Sequence, residues 1–230
     1  MKTFFPDLLD RFLFPEFLEG VRQKFHYGDT QADEFYAVAK EMLPFMRKEA
    51  CWESKKFLRK DFYQPEISDA SYEQVVMSLG KGIDCLQEQY SKKDMLSQSY
   101  MIEVLASELL MQGYDAYNRY IKETTDRHVA RYHFPGSEEA FPLEMLPQLL
   151  EELTGQITCT SAFCMSPKKS VAFIAELTRD ESMQCKGICV GCNNARCPNR
   201  VEEDGISHRR IAVMADMPLT YGYSRIFGRI

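Results

Sequence analysis

Four cysteines near the end of the chain are the residues whose type and spacing most directly indicate chemistry. Their spacing is C-x3-C-x2-C-x4-C, and they are Cys185, Cys189, Cys192 and Cys197. Clustered thiolates bind metal ions, and Gly187 and Gly191 allow the turns that bring the sulfurs together. Pro198 follows the last cysteine, as in ferredoxin-type runs, which favours a [4Fe–4S] cluster. C-x2-C pairs also serve structural zinc, so zinc stays the alternative.

The beginning of the chain bears on the redox state of these thiols. In "MKTFFPDLLDRFLF", Pro6, Asp7 and Asp10 interrupt the apolar run that a secretory signal would need. The sequence has no apolar run long enough to span a bilayer, so we expect no membrane association. We therefore predict a cytoplasmic protein, in which thiols stay reduced and clustered cysteines bind metal rather than form disulfides.

Composition and charge limit the classes of fold and partner. With 230 residues, of which 45% are hydrophobic, the chain can bury a large core and is not predicted to be disordered. Its formal net charge of −6 argues against binding nucleic acid, because neutralising phosphates requires a basic surface. No nucleic-acid partner is expected.

Residues 1–66 are predicted to form a helical N-terminal portion. Apolar residues recur at helical spacing over residues 7–25, and Pro15 marks a kink or a break. A second helix is predicted from Ala32 to Leu58, with Pro44 as a point of division.

Residues 67–178 change to a mixed pattern. Val75, Val76 and Met77 predict a strand that ends in S-L-G, and Gly80 then allows a tight turn into a helix. The longest periodic segment, residues 94–132, predicts a long and largely buried helix.

A shorter helix is predicted from Leu143 to Leu153, with Gly155 as its stop. Two strand-like stretches on either side of residues 166–169 then predict a hairpin or a pair of adjacent strands. Residues 179–230 hold the cysteine knuckle and a tail with one strand-like run at 210–216. Together the elements predict an α+β fold with an antiparallel sheet, long helices and a C-terminal metal knuckle of four cysteines.

The order of these segments resembles the activation domain of cobalamin-dependent methionine synthase, and more closely its small stand-alone bacterial relatives. The resemblance runs from about Tyr72 to Leu177. Its most specific part fits the pattern T-x-S-F-x-M-x-P-x-x-S-V, in which Ala162 replaces the serine, through Thr160, Phe163, Met165, Pro167, Ser170 and Val171. The stretch "HFPGSEEAFPLEM" is similar to the R-x-x-P-G-Y loop and the helix that follows it.

The resemblance implies S-adenosylmethionine (AdoMet) as a ligand of this loop. The residues that it implies for binding are Arg131, His133, Pro135, Gly136 and Ser137. Ser137 occupies the place of the family's tyrosine, and a second tyrosine position falls at Ala175. The catalytic residues stay unassigned.

The resemblance also implies a function. The family's domain presents AdoMet to a cobalamin that has lost its reactive state, while an electron donor reduces that cobalamin. The chain lacks the corrinoid-binding module, so cobalamin would be supplied by a separate corrinoid protein. The first hypothesis is an accessory protein for reductive reactivation of a corrinoid protein, a methyltransferase-related reaction with a metal centre that carries electrons. The alternative is a non-enzymatic binding or assembly module that is stapled by zinc and has a degenerate ligand cleft.

Overall fold

The computed structural model describes residues 1–57, 69–153, 155–183 and 185, and in this part the chain is a mixed α+β protein. A five-stranded antiparallel sheet has the order β1-β2-β3-β7-β4, and β5 and β6 form a separate two-stranded ribbon. The strands are β1 (Lys2–Thr3), β2 (Cys51–Phe57), β3 (Ser71–Ser78), β4 (His128–His133), β5 (Thr158–Cys159), β6 (Met165–Ser166) and β7 (Ser170–Thr178). The helices are α1 (Pro6–Arg11), α2 (Pro15–Lys24), α3 (Ala32–Glu49), α4 (Lys81–Lys92), α5 (Leu96–Thr124) and α6 (Leu146–Leu153).

The two prolines of the N-terminal helices have different effects. Pro15 begins α2 after a break from α1, as predicted, because a proline is tolerated in the first turn of a helix. Pro44 lies inside α3, which continues to Glu49, so the predicted division there is wrong. Helix α3 buries one face at helical spacing, and this packing offsets the missing N–H of Pro44.

The predicted continuation of this helix to Leu58 is wrong, because Cys51–Phe57 forms strand β2. All seven of its residues pair with β3. Trp52 lies on the core side of the strand and stacks on Phe5 with ring centroids 5.0 Å apart. The helical description of residues 1–66 is therefore incomplete, because β1 and β2 belong to the same sheet as β3.

The predicted strand at Val75–Met77 and the helix after Gly80 are confirmed as β3 and α4. The two strand-like stretches around residues 166–169 are not paired with each other, so that prediction is wrong. Strands β5 and β6 pair within the first stretch, whereas β7 joins the main sheet between β3 and β4. Pairing on both sides buries β7 and makes it a central strand.

Helix α5 is the predicted long helix, but it ends at Thr124. The last residues of the predicted segment, from His128 onwards, form the edge strand β4. Thr125 takes an extended conformation after α5, and this ends the helix before β4. The predicted helix from Leu143 to Leu153 is present as one 3₁₀ turn followed by α6.

The sheet separates two apolar clusters. Side chains from α1 to α5 pack on one face of the sheet, against Val75, Phe173 and Tyr132 among others. Helix α6 covers the other face with four buried leucines, against Val76 and Ile174. None of the helices in the described ranges has the length and the apolar character that crossing a bilayer requires.

Candidate functional site

The segment after β4 forms a tight loop around the Pro-Gly pair, which we call the Pro-Gly loop (residues 134–141). Gly136 has a φ of +82°, which an L side chain rarely adopts, and a Cβ there would lie 3.3 Å from Cβ of Leu143. The N–H of Gly136 donates to the carbonyl of Phe141 at 2.7 Å. The Ser137 hydroxyl donates to the carbonyl of Phe134, also at 2.7 Å. The loop is thus closed by its own hydrogen bonds.

Four of the five residues predicted to bind a ligand are accessible, and one is not. Arg131 and Gly136 are exposed, and Pro135 and Ser137 are partly buried. His133 is 0% exposed. A ligand on the loop could therefore contact the first four directly, whereas His133 lies beneath them.

The imidazole of His133 lies between two carboxylates. Nδ1 is 2.8 Å from Oε1 of Glu138 in the Pro-Gly loop, and Nε2 is 3.2 Å from Oε2 of Glu176 on β7. Tyr72 on β3 donates its hydroxyl to Oε1 of the same Glu176 at 3.3 Å. Glu176 is only 5% exposed. The network joins the loop to two strands of the sheet.

The two contacts of the His133 ring restrict how its nitrogens can be hydrogen-bonded. An ionised carboxylate only accepts, and a neutral imidazole has one nitrogen that donates and one that accepts. Two contacts between ring nitrogens and carboxylates therefore require either an imidazolium or one protonated carboxyl group.

The sequence interpretation missed Glu138 and Glu176. A signal was present for Glu176, because a lone carboxylate in the apolar run "VAFIAEL" must find a partner once that strand is buried. Glu138 had no such signal, since loop glutamates are usually solvated.

A second cluster of polar contacts lies where β3 ends and β7 begins. The Ser170 hydroxyl donates to Oγ of Ser78 at 2.8 Å, and the N–H of Leu79 donates to the carbonyl of Lys169 at 2.9 Å. The N–H of Lys168 donates to Oδ2 of Asp84 at 2.7 Å. The S-L-G turn and the P-x-x-S-V segment are thus in direct contact.

These segments border a cleft of about 430 Å³. It opens between the junction of α3 with β2, the start of α4 and the β5–β6 ribbon. Residues that line it include Lys48, Glu49, Cys51, Gly80, Ile157 and Pro167. The residues of the Pro-Gly loop are not among those lining this cleft, so the two places are distinct.

Glu103 on α5 makes an ion pair near this cluster. Lys169, only 8% exposed, contacts Oε1 of Glu103, and Gln87 donates to Oε2 at 3.0 Å. Burial raises the pKa of Glu103, but the hydrogen bonds from Lys169 and Gln87 outweigh it and hold the pKa below its ordinary value. Glu103 is therefore a charged partner of Lys169.

Cys185 is the first of the four predicted metal ligands and lies against the open edge of β4. Its N–H donates to the carbonyl of Val129 at 2.9 Å, and its side chain packs against the main core. Burial first, and then the thiol of Cys185, raise the pKa of Tyr132 well above its ordinary value. Within the described part of the chain, no three His, Cys, Asp or Glu side chains are arranged to hold a metal ion. The remaining predicted ligands lie outside the described residues, and they are Cys189, Cys192 and Cys197.

In the residues that the structure describes, the chain is thus an α+β protein with a closed Pro-Gly loop, a buried histidine between two carboxylates, and a cysteine at one edge of the sheet. No protein-family model matches the chain, and no curated protein matches it.

Proposed function

We propose that this protein is an accessory factor for corrinoid-dependent methyl transfer, which acts in the reductive reactivation of a separate corrinoid protein. The observation that carries the proposal is the 2.9 Å hydrogen bond from Cys185 to Val129. It connects the first cysteine of the knuckle to the strand that leads into the Pro-Gly loop. Val129 and His133 are four positions apart along β4, roughly 13 Å.

A centre held by the four thiolates would supply single electrons if it is a [4Fe–4S] cluster. Reactivation of an oxidised corrinoid requires one electron together with a methyl donor. The chain's own residues would hold the donor, orient it and exclude water from it. A separate electron donor would return the cluster to its reduced state.

Charge supports AdoMet as the ligand of the Pro-Gly loop. AdoMet carries a sulfonium and an ammonium group against a single carboxylate, so it is a cation. The loop and the turn after it present Glu138, Glu139 and Glu144, of which the last two are exposed. Arg131 is exposed on the adjoining strand and could pair with the ligand's carboxylate.

Anaerobic purification with metal and sulfide analysis tests the metal half of the proposal. We expect a brown protein that contains iron and acid-labile sulfide, and we expect Cys192→Ser to lose most of the iron. Cys85→Ser is the matched control, because Cys85 is an exposed thiol on α4 and should leave the metal content unchanged. A colourless protein that contains zinc would contradict this half.

Titration calorimetry with AdoMet tests the ligand half. We expect saturable binding to the purified protein, weakened when Arg131 is replaced by Ala. If AdoMet fails to bind at millimolar concentration, the methyl-donor role is wrong.

One observation favours the alternative, a non-enzymatic zinc-stapled module with a degenerate cleft. The Ser137 hydroxyl is engaged inside the turn, and Ala175 is fully buried on β7. Neither position presents the phenol that the family resemblance implies there. Zinc in the purified protein together with no AdoMet binding would select this alternative.

A further inference from the structure

The cleft between α3, α4 and the β5–β6 ribbon has no part in the function proposed above. We propose that this cleft binds a phosphorylated aliphatic small molecule, whose phosphate pairs with Lys48 and Lys81. Its volume of about 430 Å³ is in the range of small-molecule sites, roughly 300–1,000 Å³. Neither Cys185 nor the Pro-Gly loop lines the cleft, so this inference does not depend on the metal centre or on AdoMet.

Two lysines from different helices give the cleft its charge. Lys48 lies in the last turn of α3 and Lys81 is the first residue of α4, and both are exposed residues that line the cleft. Neither ammonium group has a partner among the residues that the structure describes. The acidic residue of the lining is Glu49, and its Oε2 already accepts the N–H of Gly82 at 2.7 Å. The two positive charges are therefore available to an anion.

A buried hydroxyl adds a third donor. Ser78 lines the cleft and is only 1% exposed. Its Oγ accepts the hydroxyl of Ser170 at 2.8 Å and the N–H of Gly80 at 3.2 Å. The Ser78 hydroxyl proton is not used in either bond, and it has no acceptor within the described ranges. Because a buried donor without an acceptor costs free energy, an anion's oxygen in the cleft would stabilise this arrangement.

These donors suit a phosphate better than a carboxylate. Lysine binds an anion as a point charge, whereas the arginine fork matches the two oxygens of a planar carboxylate. In the described part of the chain, no arginine lines the cleft. A phosphate ester has three terminal acceptor oxygens, one for each of the two ammonium groups and one for the hydroxyl.

The rest of the lining indicates the organic part of the ligand. Ile157, Pro167 and Ala50 present aliphatic surface to the cleft. The lining residues in the described ranges include no aromatic ring on which a nucleobase could stack. A sugar phosphate therefore fits the cleft better than a nucleotide does.

Titration calorimetry on the full chain tests the proposal with ribose 5-phosphate, ribose and inorganic phosphate as probes. We expect ribose 5-phosphate to bind saturably and more tightly than inorganic phosphate, and ribose not to bind at the same concentrations. The double variant Lys48→Met with Lys81→Met should bind ribose 5-phosphate about tenfold or more weakly, because two bonds to a charged group are lost. Methionine keeps an unbranched apolar stem at these exposed positions, and circular dichroism checks that the variant is folded.

Lys40→Met is the matched control, because Lys40 is an exposed lysine of α3 that does not line the cleft. It should change the affinity for ribose 5-phosphate by less than about twofold. Equal binding of ribose and ribose 5-phosphate, equal binding of ribose 5-phosphate by wild type and the double variant, or no binding of ribose 5-phosphate at millimolar concentration would overturn the proposal.

Alkylation of Cys51 by iodoacetamide locates the bound probe. Cys51 is a partly buried thiol of the lining, and Cys85 is an exposed thiol outside it. Burial raises the pKa of Cys51, so the reaction is followed at alkaline pH, where more of the thiol is ionised. Ribose 5-phosphate should slow the alkylation of Cys51 in proportion to its occupancy and leave Cys85 unchanged. Binding that does not protect Cys51 would place the ligand elsewhere and overturn the proposal.

The result for AdoMet is read separately. The double variant should bind AdoMet as tightly as wild type does, since neither lysine belongs to the Pro-Gly loop. If wild type binds ribose 5-phosphate but not AdoMet, the proposed function loses its methyl donor and the phosphate cleft stands. The opposite result removes the cleft and leaves the proposed function intact.

Discussion

Asp69, just before β3, is hydrogen-bonded to residues at the end of β7 and just before β4. Thr178 at the end of β7 donates its hydroxyl to Oδ1 at 2.9 Å, and the N–H of Arg179 donates to Oδ2 at 3.1 Å. Arg127, just before β4, donates to the main-chain carbonyl of Asp69 at 2.6 Å. The bond from Thr178, followed by the one from Arg179, lowers the pKa of Asp69 below its ordinary value.

This lowered pKa predicts a pH-dependent contribution to stability. A carboxylate whose pKa is lower in the folded state stabilises the fold above its unfolded pKa of about 3.9, and the contribution is lost as the pH falls through the folded value. We expect Asp69→Asn to lower the free energy of unfolding at pH 7, and this difference to shrink in acid. Urea denaturation across the acid range measures it, with Glu123→Gln as an exposed control on α5. A difference that stays constant down to the lowest pH would contradict this account.

At the scale of elements, two glycines allow the end of α3 to approach the start of α4. A Cβ at Gly80 would lie 2.4 Å from Cβ of Glu49, and a Cβ at Gly82 would lie 2.6 Å from Cδ1 of Phe45. The side chain of Glu49 also accepts a hydrogen bond from the N–H of Gly82 at 2.7 Å. The sequence indicated a tight turn here, and the contact with α3 explains why the turn requires glycines.

Replacing Gly80 by Ala should therefore destabilise the protein strongly. Its φ of +87° disfavours any L residue, and the added methyl overlaps Glu49, so we expect a loss of about 2–4 kcal/mol in the free energy of unfolding. Gly155→Ala is the matched control, because nothing lies within 4 Å of the added Cβ, and it should cost less than about 0.5 kcal/mol. Chemical denaturation measures the free energy of unfolding of both variants. Equal values for Gly80→Ala and Gly155→Ala would show that the contact between α3 and α4 adjusts to the added methyl group.

At the scale of the whole molecule, the first 57 residues and the later segments build one core. The main apolar cluster contains side chains from α1, α2 and α3 together with side chains from β3, β7 and α5. Strand β2 pairs with seven of the eight residues of β3, from Phe57 opposite Tyr72 to Cys51 opposite Ser78. A division of the chain near residue 66 would cut through this sheet.

A fragment of residues 67–178 should consequently fail to fold on its own. Without β2, β3 becomes an open edge, and the apolar face under α5 loses the side chains of α1 to α3. We expect the fragment to bind a hydrophobic dye and to unfold without a cooperative transition, in contrast to the full chain. Thermal unfolding followed by circular dichroism would settle it, and a single sharp transition in the fragment would show an independent domain.

Local patterns in the chain were sufficient for the features that depend on neighbouring residues. The helical spacing of α5, the break at Pro15, the strand at Val75–Met77 and the turn at Gly80 are properties of short segments, and they were predicted. The identity and spacing of the four cysteines likewise indicate metal chemistry without any knowledge of the fold. The prediction of a metal site therefore rests on the sequence alone, and metal and sulfide analysis of the purified protein tests it.

Other features depend on residues that are far apart in the chain, so only the tertiary structure decided them. Strands β2 and β4 lie at the ends of segments whose apolar pattern is helical. They form strands because pairing with β3 and β7 outweighs their weak local preference. The register of β4 on β7 brings His133 to Glu176, and the course of the loop brings Glu138 to the other side of the ring. Sheet register and burial decide which polar side chains meet, and neither can be read from a short stretch of sequence.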